Sequence, residues 1–214
     1  DLDPKAKETA LLISSALDSK IFSEIHVMRK TVIDGSNTSG FQRTMLVAQG
    51  GNIIVDEKQV GVQSICLEED AAKLIKDENN HRFFSLDRLG VPLIEIALEP
   101  VTGSPAFVRK IALSLGRLLR VTKKVARGIG TIRQDVNVSI DGGGVVEIKG
   151  VQQLEQLEKI IEYEAKRQYG LKLISEKINS LTKENVDESN DIVEVSNLLG
   201  NCNSEIIKKS LQNK

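Results

Sequence analysis

Glu69, Glu95, Asp135 and Glu147 stand out for what surrounds them. Glu95 interrupts an apolar run, Pro92-Leu93-Ile94-Glu95-Ile96-Ala97-Leu98. An acid inside an apolar strand is costly unless it is paired or meets a cation. Strand alternation sets it opposite Ile94, Ile96 and Leu98. Asp135 falls in mid-strand, where Asp is disfavoured by propensity, and Glu147 lies in the partner strand, residues 145–149. Glu69 is the middle of Glu68-Glu69-Asp70, which closes another strand. Each has an ordinary alternative. Glu95 can be a structural acid bridged to Arg88 or a nearby lysine. Asp135 can sit on a solvated sheet face, and three acids in a row can be a solvated edge. Read together, they are hard oxygen donors at strand ends and faces. That is the chemistry Mg²⁺ prefers, often through one or two carboxylates plus substrate phosphates. Two such ions would clamp a transferring phosphoryl group and neutralise its charge.

The elements that must position these acids follow from periodicity and turn chemistry. Residues 5–17 read as a helix with Pro4 in its first turn and Ala10, Ile13, Ala16 and Leu17 as its apolar stripe. Residues 25–34 read as extended, and 34–40 as a loop of turn formers. Residues 41–49 and 52–56 flank Gly50-Gly51, which predicts a hairpin between them. Residues 60–67 and 91–98 read as strands, with a polar loop at 76–82 between them. Ser104-Pro105 opens a helix to about Val121. Residues 131–140 alternate: Ile132, Gln134, Val136, Val138 and Ile140 on one face, Arg133, Asp135, Asn137 and Ser139 on the other. A helix over about 153–168 follows, with a soft boundary near Leu173 and a helical pattern at 204–211. Strands joined by hairpins and mixed with helices, rather than regular βαβ units, predict an α+β fold with a mixed or antiparallel sheet and packed helices.

Register decides whether Glu147 joins Asp135. A four-residue loop, 141–144, pairs Glu147 with Val138 on the apolar face. A loop of three or five residues, or a glycine bulge, pairs it with Asn137 on the face of Asp135. Gly142, Gly143 and Gly144 make a bulged turn easy, so the odd register is expected.

From Pro100 to Gln134 there is no acid, while Arg109, Lys110, Arg117 and Arg120 fall within about a 100° arc of the helix. An amphipathic helix with a solvated face explains this pattern; so does a strip that meets tRNA backbone or ATP phosphates.

Composition removes several classes. Aromatic residues are 3% of the chain with no Trp, which argues against reading RNA mainly by base stacking. The net charge of −1 makes any RNA contact local. Cys66 and Cys202 have no zinc spacing and suggest no disulfide framework, so a reducing, cytoplasmic compartment is expected. No apolar run approaches the roughly 18 residues of a membrane span. There is no P-loop and no dinucleotide fingerprint, so ATP, if used, is held another way. His26 and His81 have no zinc-type partner nearby in sequence.

Several longer motifs then read as a set. They are His26-Val27-Met28-Arg29-Lys30, Asp34-Gly35-Ser36-Asn37-Thr38-Ser39-Gly40-Phe41-Gln42-Arg43 and Leu67-Glu68-Glu69-Asp70-Ala71. Further along come Asp87-Arg88-Leu89-Gly90-Val91-Pro92-Leu93-Ile94-Glu95-Ile96, Arg133-Gln134-Asp135-Val136-Asn137-Val138-Ser139 and Val146-Glu147-Ile148-Lys149-Gly150. In this order they closely resemble the E-type subunits of archaeal glutamyl-tRNA(Gln) amidotransferases, a family related to the bacterial B-type subunits. Asp87, where the bacterial relatives carry Asn, points to the E type. The resemblance implies a ligase that uses ATP and Mg²⁺ to phosphorylate the Glu side chain of Glu-tRNA(Gln) and then amidates it to Gln-tRNA(Gln). It implies a hetero-oligomer with an asparaginase-like D-type subunit that supplies ammonia. It makes Glu69, Glu95, Asp135 and Glu147 the expected metal and catalytic set, and Arg133, Asn137 and Lys149 the expected ATP or phosphate contacts. It further implies an upstream strand bearing Glu-Ile-His ligands, so that the present chain is an interior fragment, inactive alone. Residues 1–172 would form the catalytic body, and 173–214 a linker and the start of an aspartyl-tRNA-synthetase-like insertion. A non-catalytic RNA- or partner-binding scaffold of the same fold is the competing reading.

Overall fold

The computed structural model describes residues 2–78, 80–128, 130–181 and 195–212. The chain is α+β and divides into two compact units, residues 1–167 and 168–214.

In the first unit, helix α1 (Pro4–Ala16) begins where the Asp3 side chain accepts from the Lys5 amide, with Pro4 in its first turn. Strands β1 (Lys20–Ile21) and β2 (Val27–Thr31) both pair with β3 (Phe41–Gln49). Next come β4 (Asn52–Val55) and β5 (Lys58–Glu69), which form a hairpin. Its turn is Asp56-Glu57, with left-handed φ of 49° and 62°. β3 does not pair with β4, against the hairpin expected at Gly50-Gly51. The two lie end to end along β5: Gln49 faces Ser64 and Asn52 faces Gly61. The glycines let this broken strand bend against the end of α1. The Asn52 amide donates to the Leu17 carbonyl at 2.8 Å. A Cβ on Gly51, whose φ is +93°, would meet that carbonyl oxygen at 2.3 Å. Close approach, rather than reversal, is what Gly51 serves.

Strand β8 (Pro92–Leu98) completes this antiparallel sheet on the other side of β5. Of residues 76–82, expected as a loop, 76–78 and 81–82 instead lie in the paired strands β6 (Lys73–Glu78) and β7 (His81–Ser85). Their polar residues are exposed, so composition hid a strand pair whose hydrogen bonds are made by the backbone. One face of the main sheet packs on α1 and on α2 (Pro105–Val121), which Ser104 caps by accepting from the Phe107 amide. Met45, Val47, Ile65 and Leu67 from the sheet, with Ala10, Ile13 and Leu17 from α1 and its C-terminal cap, are buried here. Leu115, Leu118 and Leu119 of α2 close over Ile96 and Leu98.

Strands β9 (Gln134–Val138) and β10 (Val146–Val151) form a separate two-stranded sheet. Helix α3 (Leu154–Leu181) runs through Gly170, beyond the end expected for it. A helical glycine costs about 1 kcal/mol, which the good helix formers on either side absorb. In the second unit, α4 (Ser196–Leu199) and α5 (Glu205–Gln212) follow. Residues 182–194 of the expected linker lie outside the described residues.

Candidate active site

The face of the main sheet away from α1 and α2 is polar, and the strand registers say which side chains share it. Cys66 faces Glu95 across β5 and β8, while Glu68 faces Leu93 there and Thr44 on β3. Thr44 in turn faces Met28, and Gln42 faces Lys30. Because alternate residues share a face, Glu95, Cys66, Glu68, Thr44 and Lys30 stand on one side. The Thr44 hydroxyl donates to Glu68 Oε1 at 2.9 Å, and Lys30 Nζ lies 3.8 Å from the same oxygen. Glu95 forms no ion pair or hydrogen bond among the described residues.

Glu69 is not part of this group. It follows Leu67 in alternation and so lies on the helix-packed side of the sheet, at its end. There it is bonded to Arg43. The acid that shares the face of Glu95 is its neighbour Glu68. A bulge is the reason this is hard to read: the β5–β8 register shifts between Val62 and Ser64. The buried positions of β5 therefore change from even (Val60, Val62) to odd (Ile65, Leu67).

The β9–β10 register is the odd one. Glu147 faces Asn137, and Val146 faces Val138. Asp135, Asn137 and Glu147 are exposed on one face, while Val136, Val138 and Ile148 are covered. The loop is tight: the Gly143 amide donates to the Ile140 carbonyl at 2.9 Å, with Gly142 at φ +72°. A second irregularity between Ile148 and Val151 lets the Gly150 amide donate to Asp135 Oδ1 at 2.8 Å.

Electrostatics joins the hairpin to the sheet. Partial desolvation pushes the Glu95 carboxyl above its ordinary range, and the negative charges of Glu68 and Asp135 push the same way; Lys30 and Lys149 oppose them. Desolvation, then the charges of Glu95 and Glu68, likewise push the Cys66 thiol up. The structure thus brings Glu68, Glu95 and Asp135 into one field. Glu147 shares the face of Asp135, and its Oε2 lies 3.2 Å from Lys149 Nζ.

Arg88, the expected partner of a merely structural Glu95, is engaged elsewhere. Its Nη2 donates to Asp70 Oδ1 at 3.2 Å and its Nε lies 3.1 Å from Oδ2. Arg133, expected at a phosphate, also lies on Asp70, with Nη2 to Oδ2 at 3.4 Å. Asn137 is exposed opposite Glu147. On α2, Arg109 bonds Glu158 and Lys110 bonds Asp56, so half of the expected basic strip is neutralised. Arg117 and Arg120 carry no ion pair among the described residues.

Every candidate ligand is a carboxylate oxygen, the donor type Mg²⁺ prefers, and the negative charges of Glu68 and Asp135 on Glu95 are only partly opposed by Lys30 and Lys149. Among the described residues no three His, Cys, Asp or Glu side chains cluster closely enough to hold an ion alone. A Mg²⁺ held by these acids would have to keep water or phosphate in its shell and take only one or two protein carboxylates. Among the described residues no helix is long and apolar enough to cross a membrane.

Comparison with known proteins agrees with the motif order. The family described as GatB/GatE catalytic domain matches residues 1–198. The E-type subunit of glutamyl-tRNA(Gln) amidotransferase from Methanococcus maripaludis is 51% identical over 214 residues, covering 100% of this chain and 33% of that protein. Its counterpart from Sulfolobus acidocaldarius is 51% identical over 214 residues, 99% of this chain and 34% of that one. The counterpart from Aeropyrum pernix is 50% identical over 212 residues, covering 98% and 33% respectively. The chain spans about a third of the length of these relatives. It belongs to the GatB/GatE catalytic domain family.

Proposed function

We propose that this chain is the phosphoryl-transfer body of a tRNA-dependent amidotransferase, and that Mg²⁺ and the ATP phosphates are held where Glu68 and Glu95 of the main sheet meet Asp135 of the β9–β10 hairpin. One observation carries the reading. Glu95 is an exposed acid in an apolar strand, without an ion pair among the described residues, its carboxyl pushed up by partial desolvation and by two neighbouring acids. Such a field is relieved by a dication, whose bound form also neutralises charge developing on transferred phosphate. The names of the relatives supply the substrate: Glu carried on tRNA(Gln). Its side-chain carboxylate would be phosphorylated by ATP, and ammonia from a partner protein of the asparaginase-like D type would displace phosphate to give the amide.

In this account the chain's own residues position and compensate charge. Glu68 is oriented by Thr44, and Asp135 by the Gly150 amide. Lys149 stands beside Glu147, available to an anionic group that draws it off. Residues 1–172 act as the catalytic body and the remainder as the approach to a further domain. The alternative of a non-catalytic scaffold draws on the lack of a three-ligand cluster among the described residues and on the unbridged Arg117 and Arg120.

Mn²⁺ titration separates the two. In the full-length protein with its ammonia-supplying partner, Glu95→Gln is expected to weaken Mn²⁺ binding at least tenfold, as loss of a charged ligand does. It also stops ATP cleavage that depends on Glu-tRNA(Gln). Unchanged Mn²⁺ affinity in the variant contradicts the reading.

A further inference from the structure

Among the described residues the β9–β10 hairpin makes no backbone ladder with the main sheet, yet Asp135 must stand within reach of Glu95 for the two to act on one ion. Some other contact has to set that separation, and Asp70 is built to do so. It directly follows β5, and its backbone is tied on both sides to the segment entering β8. Its amide donates to the Val91 carbonyl at 2.8 Å, and its carbonyl accepts from Gly90 at 2.9 Å. Its side chain is only 18% exposed and meets two guanidinium groups. Arg88 comes from the β8 side, with its Nη2 donating to Oδ1 and its Nε 3.1 Å from Oδ2. Arg133 comes from the residue just before β9 and reaches Oδ2. By alternation Arg133 projects from the same face of that strand as Asp135, two residues on. An ion pair at Arg133 therefore fixes both the height and the facing of Asp135 relative to the sheet.

We propose that Asp70 is a positioning residue: through Arg133 it docks the β9–β10 hairpin so that Asp135 and Glu95 can share a divalent ion. The inference rests on the reading that this face binds Mg²⁺. In this role Asp70 is not itself a ligand of the ion. It acts as outer-shell partners of metal ligands do, by holding a ligand where it is useful. Two positive groups on one carboxylate give it a margin: when one is lost, the other still balances the Asp70 charge.

The test measures Mn²⁺ affinity by electron paramagnetic resonance on the full-length protein and its variants, beside thermal melting. Asp70→Asn and Asp135→Asn are each expected to weaken Mn²⁺ binding about tenfold, the lower end for outer-shell partners. The double variant should bind no more weakly than Asp135→Asn alone, because once Asp135 cannot ligate, its placement no longer matters. A purely structural role for Asp70 would give losses that add. Should Asp70→Asn fail to fold, Arg133→Gln takes its place, since Arg88 remains to balance Asp70. Arg133→Lys, which keeps the charge, should recover part of the affinity. Wild-type affinity in Asp70→Asn or Arg133→Gln, or additive losses, overturns the positioning role while leaving the metal reading intact. No Mn²⁺ binding by the wild type overturns both.

Discussion

Glu95 carries a carboxylate that no ion pair among the described residues relieves, and its behaviour with pH should betray it. Desolvation and the neighbouring acids raise its folded-state pKa above the ordinary 4.5. Its contribution to stability is then present in full below the unfolded value and is lost as pH rises through the folded one. At neutral pH the ionised group works against the fold. Glu95→Gln should therefore melt higher than wild type at pH 7 without metal, with the difference vanishing below about pH 4. Equal melting at both pH values would show that the acid face is well solvated. Glu68 and Glu69 separate at the same scale. Glu68→Gln should cost metal affinity. Glu69→Gln should spare it and cost about 1 kcal/mol of stability, because Arg43 is left facing Arg29 across the strands without its acid. Chemical denaturation and Mn²⁺ titration on the pair of variants decide the point; metal loss in Glu69→Gln alone would reverse the assignment. The acid types and their strands were legible in the sequence. Which of Glu68 and Glu69 faces the site was not, because a bulge between Val62 and Ser64 resets the alternation and bulges leave little trace in composition.

Turns and close approaches decided how well each element could be read. Helix α2 announced itself through Ser104-Pro105, and Glu147 found its place through the glycines after Asp141, since both signals are local backbone chemistry. Gly50-Gly51 misled for the converse reason. Gly51 answers a distant carbonyl, that of Leu17, which no local window contains. Meanwhile the true reversal used Asp56-Glu57, two residues forced into left-handed φ with no glycine to signal it. Gly51→Ala should accordingly destabilise the first unit by more than about 1 kcal/mol, through both its positive φ and the clash. Urea unfolding measures this. A neutral substitution would mean that the bend at the end of α1 yields easily. Glu57→Gly, by contrast, should be neutral or stabilising by a few tenths of a kcal/mol, because glycine takes φ > 0 without strain.

At the scale of the molecule, net charge hides a local contrast. The acid-free stretch after Pro100 looked like one basic strip, but Arg109 and Lys110 are answered by Glu158 and Asp56, acids far off in sequence. What remains of that strip for an RNA backbone is Arg117 and Arg120. Reversing both to Glu should weaken tRNA binding by the full-length protein and flatten its salt dependence by about two units of slope. Reversal of Arg109 should act through stability instead, by removing its bond to Glu158. Unaltered tRNA affinity in the Arg117/Arg120 variant would leave α2 a solvated helix. The family and the α+β class were readable from motif order and from strand and helix periods. The pairing of distant charges was not, since ion pairs between elements depend on the finished packing. The most direct test of the account is the position of a divalent ion. A crystal of the full-length protein soaked with Mn²⁺ and a non-hydrolysable ATP analogue should place its anomalous peak on the sheet face within coordinating distance of Glu68 or Glu95, with Asp135 beside it. A peak at Glu69, on the side of Arg43, or one remote from all three acids, would contradict it.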